Sequence, residues 1–167
     1  MKVEDQESSE LEKLADLIED LGAAMMITMD EDERLVSRPM SPLKMDTKGS
    51  FWFFTDINSN KVQQIDRVNL SFSNESDSIY VSVAGHGVMI NDRELMRELW
   101  TPFMKPWFQD GVESPQLALL KVTPQTVEYW DSTHSKMVRM FAIAASVIAA
   151  RPIGMGDHGK LSIVDSP

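Results

Sequence analysis

Five consecutive residues, Phe51-Trp52-Phe53-Phe54-Thr55, constrain this chain more than any other stretch. Aromatic and β-branched side chains in an unbroken run are the strongest strand signal a sequence carries. Side chains alternate across a strand, so Trp52, Phe53 and Phe54 cannot all face one core. Shorter runs of strand character lie around it, at residues 23–29, 35–40, 68–73 and 79–90. Pro39 argues for an edge position or a bulge in the second of these. Gly85 and Gly87 allow a bulge or bend in the last. Residues 117–123 and 126–131 read as two arms of a hairpin or near-hairpin. The count is roughly six antiparallel strands.

Helical patterns flank and interrupt the strands. Ser9 followed by Glu12 fits a capping box. Leu11, Leu14, Leu17, Ile18 and Leu21 then recur at helical spacing until Gly22. Residues 59–66 read as a short helix with Val62 and Ile65 inward. Asn91 with Glu94 suggests a second capping box, continued by Leu95, Met96 and Leu99. Residues 137–150 form a strongly apolar helix, and 151–167 a Gly- and Pro-containing tail. Residues 1–7 are expected to fray. The fold class is therefore mainly β: a small β-barrel with flanking helices. One domain suits 167 residues. We place it at residues 8–133, with 134–167 as a helix and tail packed on the barrel or on a dimer partner.

Composition removes several kinds of chemistry. There is no Cys, so disulfides, thiol catalysis and thiolate metal sites are excluded. The formal net charge is -10, which repels nucleic acid and anionic lipid. The acid excess is concentrated: residues 1–35 carry 12 acidic and 3 basic side chains, the remainder 14 and 13. The acidic start lacks the basic and apolar regions of a leader. The 14-residue stretch 137–150 contains Arg139 and is too short to span a bilayer. A cytoplasmic protein with neither nucleic-acid nor membrane partners is the expectation.

Little remains for hydrolysis or metal binding. His86, His134 and His158 lack ligand spacing, so no metal is expected. No G-x-S-x-G elbow or phosphate-binding Gly loop occurs. His86 lies in an alternating strand, where it faces the surface or fills a groove. A different anion site is more promising. Ser59 and Lys61 open the short helix, where hydroxyl, backbone N–H and ammonium groups can hold one phosphate. Arg38, in an otherwise uncharged strand, can add a planar donor fork. The bland alternative makes Arg38 a salt-bridge partner and Lys61 a surface lysine. Trp100, Phe103, Trp107 and Phe108 cluster in a loop stiffened by Pro102, Pro106 and Pro115. Such a loop is either a ligand slot or interface, or is tucked onto the core.

Several of these segments, in order and spacing, resemble one family. They are Thr28-Met29-Asp30, Leu35-Val36-Ser37-Arg38-Pro39-Met40, and Gly49 through Asp56 with Ser59, Lys61 and Val62 following. Val81-Ser82-Val83-Ala84-Gly85, Asp92-Arg93, Leu99-Trp100, Leu119 through Pro124 and Glu128-Tyr129-Trp130-Asp131 complete the set. The match is to the general stress protein 26 branch of the pyridoxamine 5'-phosphate oxidase-like flavoproteins, over roughly residues 8–133. The resemblance implies an FMN-binding split barrel that forms a homodimer, with FMN, or alternatively FAD, in clefts shared by both subunits. It implies that Arg38, Pro39 and Met40 line the flavin on one strand. Phe53, Phe54 and Thr55 would lie beside it on the next, partly through backbone groups. Ser59 and Lys61 would hold the phosphate, with Gln64 near the ribityl chain. Trp107 and its neighbours from the partner chain would cover the isoalloxazine ring. Three functions compete: a flavin-binding stress protein with a redox role and unknown substrate, an FMN-dependent oxidase or reductase acting on a small molecule such as pyridoxamine 5'-phosphate, and a non-flavin binding protein on the same fold. A phosphorylated substrate needs a second basic pocket, and the body beyond residue 75 offers no compact basic pattern, so vitamin B6 chemistry ranks low.

Overall fold

The aromatic run is strand β5, Phe51–Asp56, and it serves two cores. In the computed structural model, which describes residues 1–59, 65–131 and 157–163, Phe51 and Phe53 are fully buried in the main core with Leu14, Ile18, Leu70, Phe72 and Val83. Trp52 and Phe54 turn the other way, into a smaller core with Met96, Leu117 and Leu119. Each buried aromatic contributes roughly 1.5–3 kcal/mol of transfer free energy, so this one strand ties both sides of the sheet together.

The other strands are β1 (Lys2–Val3), β2 (Ala24–Met29), β3 (Leu35–Met40), β4 (Lys44–Met45), β6 (Val68–Asn74), β7 (Ile79–Ile90), β8 (Leu117–Asp131) and β9 (Asp157–Ser162). They form one sheet in the order β1-β4-β5-β8-β7-β6-β2-β3, with β9 also on β8. Helix α1 (Ser9–Ile18) packs its Leu11, Leu14 and Ile18 face onto the main core. Helix α2 (Arg93–Leu99) and the aromatic loop cover the smaller one.

Strand β8 is the spine. One side pairs with β7 from Leu119 to Asp131. The other pairs first with β5 over Leu117–Val122 and then with β9 over Thr126–Asp131. The hairpin expected at 124–125 is absent: a single strand runs through. Its register with β7 shifts at Ala84/Gly85, so Thr126 faces Ala84, Pro124 faces Gly85, and Gln125 is the extra residue of a bulge. Proline, which has no N–H for a ladder, is tolerated at such a bulge. Gly85 is required opposite it, because a Cβ there would overlap the Thr123 carbonyl oxygen.

Three further expectations change. The N-terminal residues do not fray: β1 pairs parallel with β4, inside what reads as a loop. The α1 cap is Ser8, which accepts from the Leu11 N–H, and α1 ends at Ile18 rather than at Gly22. The α2 cap is Asp92, which accepts from Glu94 and Leu95 N–H groups, rather than Asn91. Strand β9 lies where a tail is expected. The helices read at 59–66 and 137–150 fall largely or wholly outside the described residues. No helix among those described is long and apolar enough to cross a membrane.

Candidate functional site

A sheet whose ends do not pair leaves a gap, and here the gap is a cleft of about 490 Å³. One wall is the end of β3, with Pro39 and Met40, followed by Ser41 and Leu43. The facing wall is the end of β5, with Phe54, Thr55 and Asp56. Phe103, Met104, Trp107 and Phe108 of the aromatic loop close the third side. The size is ordinary for a small-molecule or cofactor site.

The backbone of β5 is open here. Strand β4 pairs only with Phe51 and Trp52, and the Trp52 carbonyl accepts from Leu43 N–H at 2.7 Å. Backbone groups alternate sides along a strand. The N–H and C=O of Phe54 therefore face the same side as those of Trp52, beyond the end of β4 and toward the cleft. Phe53 points its side chain into the main core, where it is fully buried, and its backbone pairs with Leu120 of β8. Its side chain does not line the cleft, and neither does that of Arg38 or Ser59.

Polar atoms around the cleft lack partners. Arg38 Nη1, Thr55 Oγ1 and Ser59 Oγ are all buried without a hydrogen bond. Each such group costs about 1–3 kcal/mol, and more when charged. No carboxylate among the described residues pairs with Arg38, so the salt-bridge alternative finds no partner there. Arg38 lies two residues from Met40 and therefore on the same face of β3. Thr55 lines the cleft directly, and Ser59 follows β5, its N–H bonded to the Asp56 carbonyl at 3.1 Å. Expected site residues Pro39, Met40, Phe54, Thr55 and Trp107 thus meet in one cleft of one chain. Lys61 and Gln64 lie outside the described residues.

The aromatic loop divides between its two readings. Trp100 and Phe108 are tucked: their rings lie 5.7 and 6.4 Å from that of Phe54. Phe103 and Trp107 stand out at 83% and 72% exposure. Asp56, Leu43 and Met104 were not among the expected site residues. Asp56 ends the aromatic run and was a findable signal, whereas Leu43 and Met104 carry no local mark. His86 sits half-exposed on β7 and does not line the cleft.

Comparison with known proteins agrees with this geometry. The family model described as "Pyridoxamine 5'-phosphate oxidase like" matches residues 9–152. Protein bli-3 of Neurospora crassa is 29% identical over 152 residues, covering 83% of this chain and 73% of that protein. A Jannaschia sp. CCS1 crystal structure, described as a candidate general stress protein 26, superposes with a TM-score of 0.67 at 24% identity. It covers 92% of this chain and 98% of its own. The general stress FMN/FAD binding protein of Xanthomonas citri superposes with a TM-score of 0.63 at 26% identity, covering 77% and 93%.

Proposed function

The chain belongs to the pyridoxamine 5'-phosphate oxidase-like family, and from that premise we propose that it falls in the general stress protein 26 branch, binds FMN, with FAD as the alternative, between β3 and β5 and serves a redox role. One observation carries the reading: the cleft is lined by aromatic and apolar side chains and by the buried, partnerless Thr55 Oγ1, with the equally partnerless Arg38 Nη1 on β3 and Ser59 Oγ just beyond β5. A flat cofactor with a polar ring edge and a phosphate satisfies that combination. The solved Xanthomonas citri relative is an FMN/FAD binding protein, which supports the same assignment.

In this reading each residue has a physical task. Arg38 donates to the acceptor edge of the flavin ring and favours negative charge there. Pro39 and Met40 lie along one face of the ring. Phe54 offers its free backbone N–H, while Phe53 anchors the strand through its buried side chain and its pairing with β8. Thr55 contributes its hydroxyl. Ser59 and Lys61 hold the phosphate, Gln64 reaches the ribityl chain, and Trp107 covers the ring. The resemblance assigns that cover to the partner chain, and Trp107 of the same chain also lines the cleft. The bound flavin would supply the redox chemistry, and the protein its position and electrostatic setting.

A homodimer fits the outer face of β2 and β3. Met25 and Leu35 are 41% and 77% exposed there, and the opposite face of β2 puts Ala24 and Met26 into the core. A second copy covering them would remove that apolar surface from water. The substrate is a small molecule of unknown identity. Pyridoxamine 5'-phosphate is disfavoured, because the described residues that line the cleft include no Lys or Arg for a second phosphate beside that of the flavin.

Lys61→Ala separates the phosphate from the ring. Losing a charge-assisted contact of about 1.5–3 kcal/mol weakens FMN by roughly tenfold or more, and riboflavin, which has no phosphate, far less. Calorimetric titration of both ligands reads the difference. Equal losses would overturn the phosphate assignment.

A further inference from the structure

We propose that Arg93 is a positioning residue for the cofactor: from outside the cleft, its guanidinium holds in place the aromatic wall that receives the flavin ring. The inference rests on the flavin reading and adds to it the group that fixes that wall.

The wall needs an anchor. Phe103, Met104, Trp107 and Phe108 line the cleft. They belong to the connection between α2, which ends at Leu99, and β8, which starts at Leu117. Its regular structure is limited to two single turns, Pro102–Met104 and Gly111–Glu113. A connection of this length has no ladder to fix it, and ordering it costs entropy. Its first half is seated by packing, with the Trp100 and Phe108 rings 5.7 and 6.4 Å from that of Phe54. Its second half gives the smaller core one apolar side chain, the partly buried Val112.

Arg93 supplies the anchor at that second half. It opens α2 and is set by the Asp92 cap, whose carboxylate accepts from the Glu94 and Leu95 N–H groups. Its Nη1 donates to the Val112 carbonyl at 3.1 Å and to the Ser114 carbonyl at 2.9 Å. Hydrogen bonds from a charged donor are roughly twice as strong as neutral ones. From there turn bonds run back to the wall. Ser114 N–H donates to the Gly111 carbonyl at 3.1 Å and Gly111 N–H to that of Phe108 at 2.9 Å. The Phe108 and Trp107 N–H groups both donate to the Met104 carbonyl, at 3.2 and 3.1 Å. Arg97 also reaches this stretch, pairing with Glu113 at 2.9 Å, but both side chains are more than half exposed. Such pairs contribute little. Arg93 itself does not line the cleft, so its effect on a ligand passes through the loop.

The test compares Arg93→Met, which keeps the apolar stem and deletes the donors, with Arg93→Lys, which keeps a cationic donor, in the full chain. Calorimetric titration with FMN and with riboflavin should show both ligands weakened alike in Arg93→Met, by roughly tenfold, because the wall serves the ring and not the phosphate. Arg93→Lys should recover part of that loss. Arg97→Met should stay within about twofold of the parent chain. A purely structural role would lower the urea midpoint and leave both affinities unchanged, and that result overturns the proposal. A loss confined to FMN, or an equal loss in Arg97→Met, overturns it too. If the parent chain takes up neither ligand, the flavin reading fails separately, and amide exchange of the ligand-free chain decides. Arg93→Met should then lower the protection of the Trp107, Phe108 and Gly111 N–H groups, and unchanged protection overturns the positioning role.

Discussion

The two sides of the barrel differ in how completely they satisfy their own groups. Where β6, β7 and β8 run side by side, the ladders extend along the strands with one bulge at Gln125, and the inward side chains Leu70, Phe72, Val83 and Val127 are at most 1% exposed. At the split between β3 and β5 the ladder stops, a cleft opens, and Arg38, Thr55 and Ser59 each bury a polar atom with no partner. The closed side buries its inward side chains almost completely and supplies stability. The open side holds unmatched donors and exposed rings, a state that is costly unless a ligand completes it. The proposed flavin site therefore lies where the sheet fails to close.

The largest break in that comparison should come from the closed side. Phe72→Ala removes a fully packed ring lying 5.6 Å from Phe51, and a cavity of this kind costs about 3–5 kcal/mol. Urea unfolding should show that loss, while the molecules that remain folded bind FMN unchanged. An effect within error would mean that the closed side is not the stabilising half.

The open side should respond in the opposite sense. Thr55→Val keeps the shape and deletes an orphaned hydroxyl. The flavin-free chain should gain about 1 kcal/mol while its affinity for FMN falls. A loss of stability in the same unfolding experiment would show that the hydroxyl has a partner within the protein.

The smallest effect concerns the junction of β8 with β9. The Lys160 ammonium, 2.8 Å away, holds the Glu128 carboxyl below its usual range, with His158 adding a minor contribution. A carboxyl lowered in the folded state stabilises above its unfolded pKa, and that contribution is lost as pH falls through the folded value. Acidification should therefore loosen β9 slightly. The protection of residues 157–162 against amide exchange, relative to the intrinsic rate at each pH, should fall at acidic pH in the parent chain, and the change should be absent in Glu128→Gln.

Much of the strand pattern was legible because it depends on local alternation. The two-core role of β5 follows directly from four aromatic-rich positions in succession. The failures have a common physical origin in contacts remote along the chain. Pro124 reads as a turn, yet Gly85 across the sheet accepts it in a bulge. Lys2–Val3 becomes a strand only because Lys44–Met45 offers an edge, and β9 only because β8 outruns β5. Both helix caps were displaced by one residue, since Ser8 and Ser9, or Asn91 and Asp92, are equally capable acceptors and the chain path decides between them. Of the site, Arg38 stood out as a lone charge in an uncharged strand, and Trp107 as part of a stiffened aromatic cluster. Asp56 was read only as the end of a strand. Its exposure to the cleft depends on where β4 stops, which no local pattern records.

An absorption spectrum of the purified chain, taken before and after adding FMN and desalting, tests the central claim most directly. The account predicts flavin bands that survive desalting, because the donors of the open side hold the cofactor. A spectrum without retained flavin, together with a flat calorimetric titration, would leave the barrel in place and contradict its assignment as a flavin site.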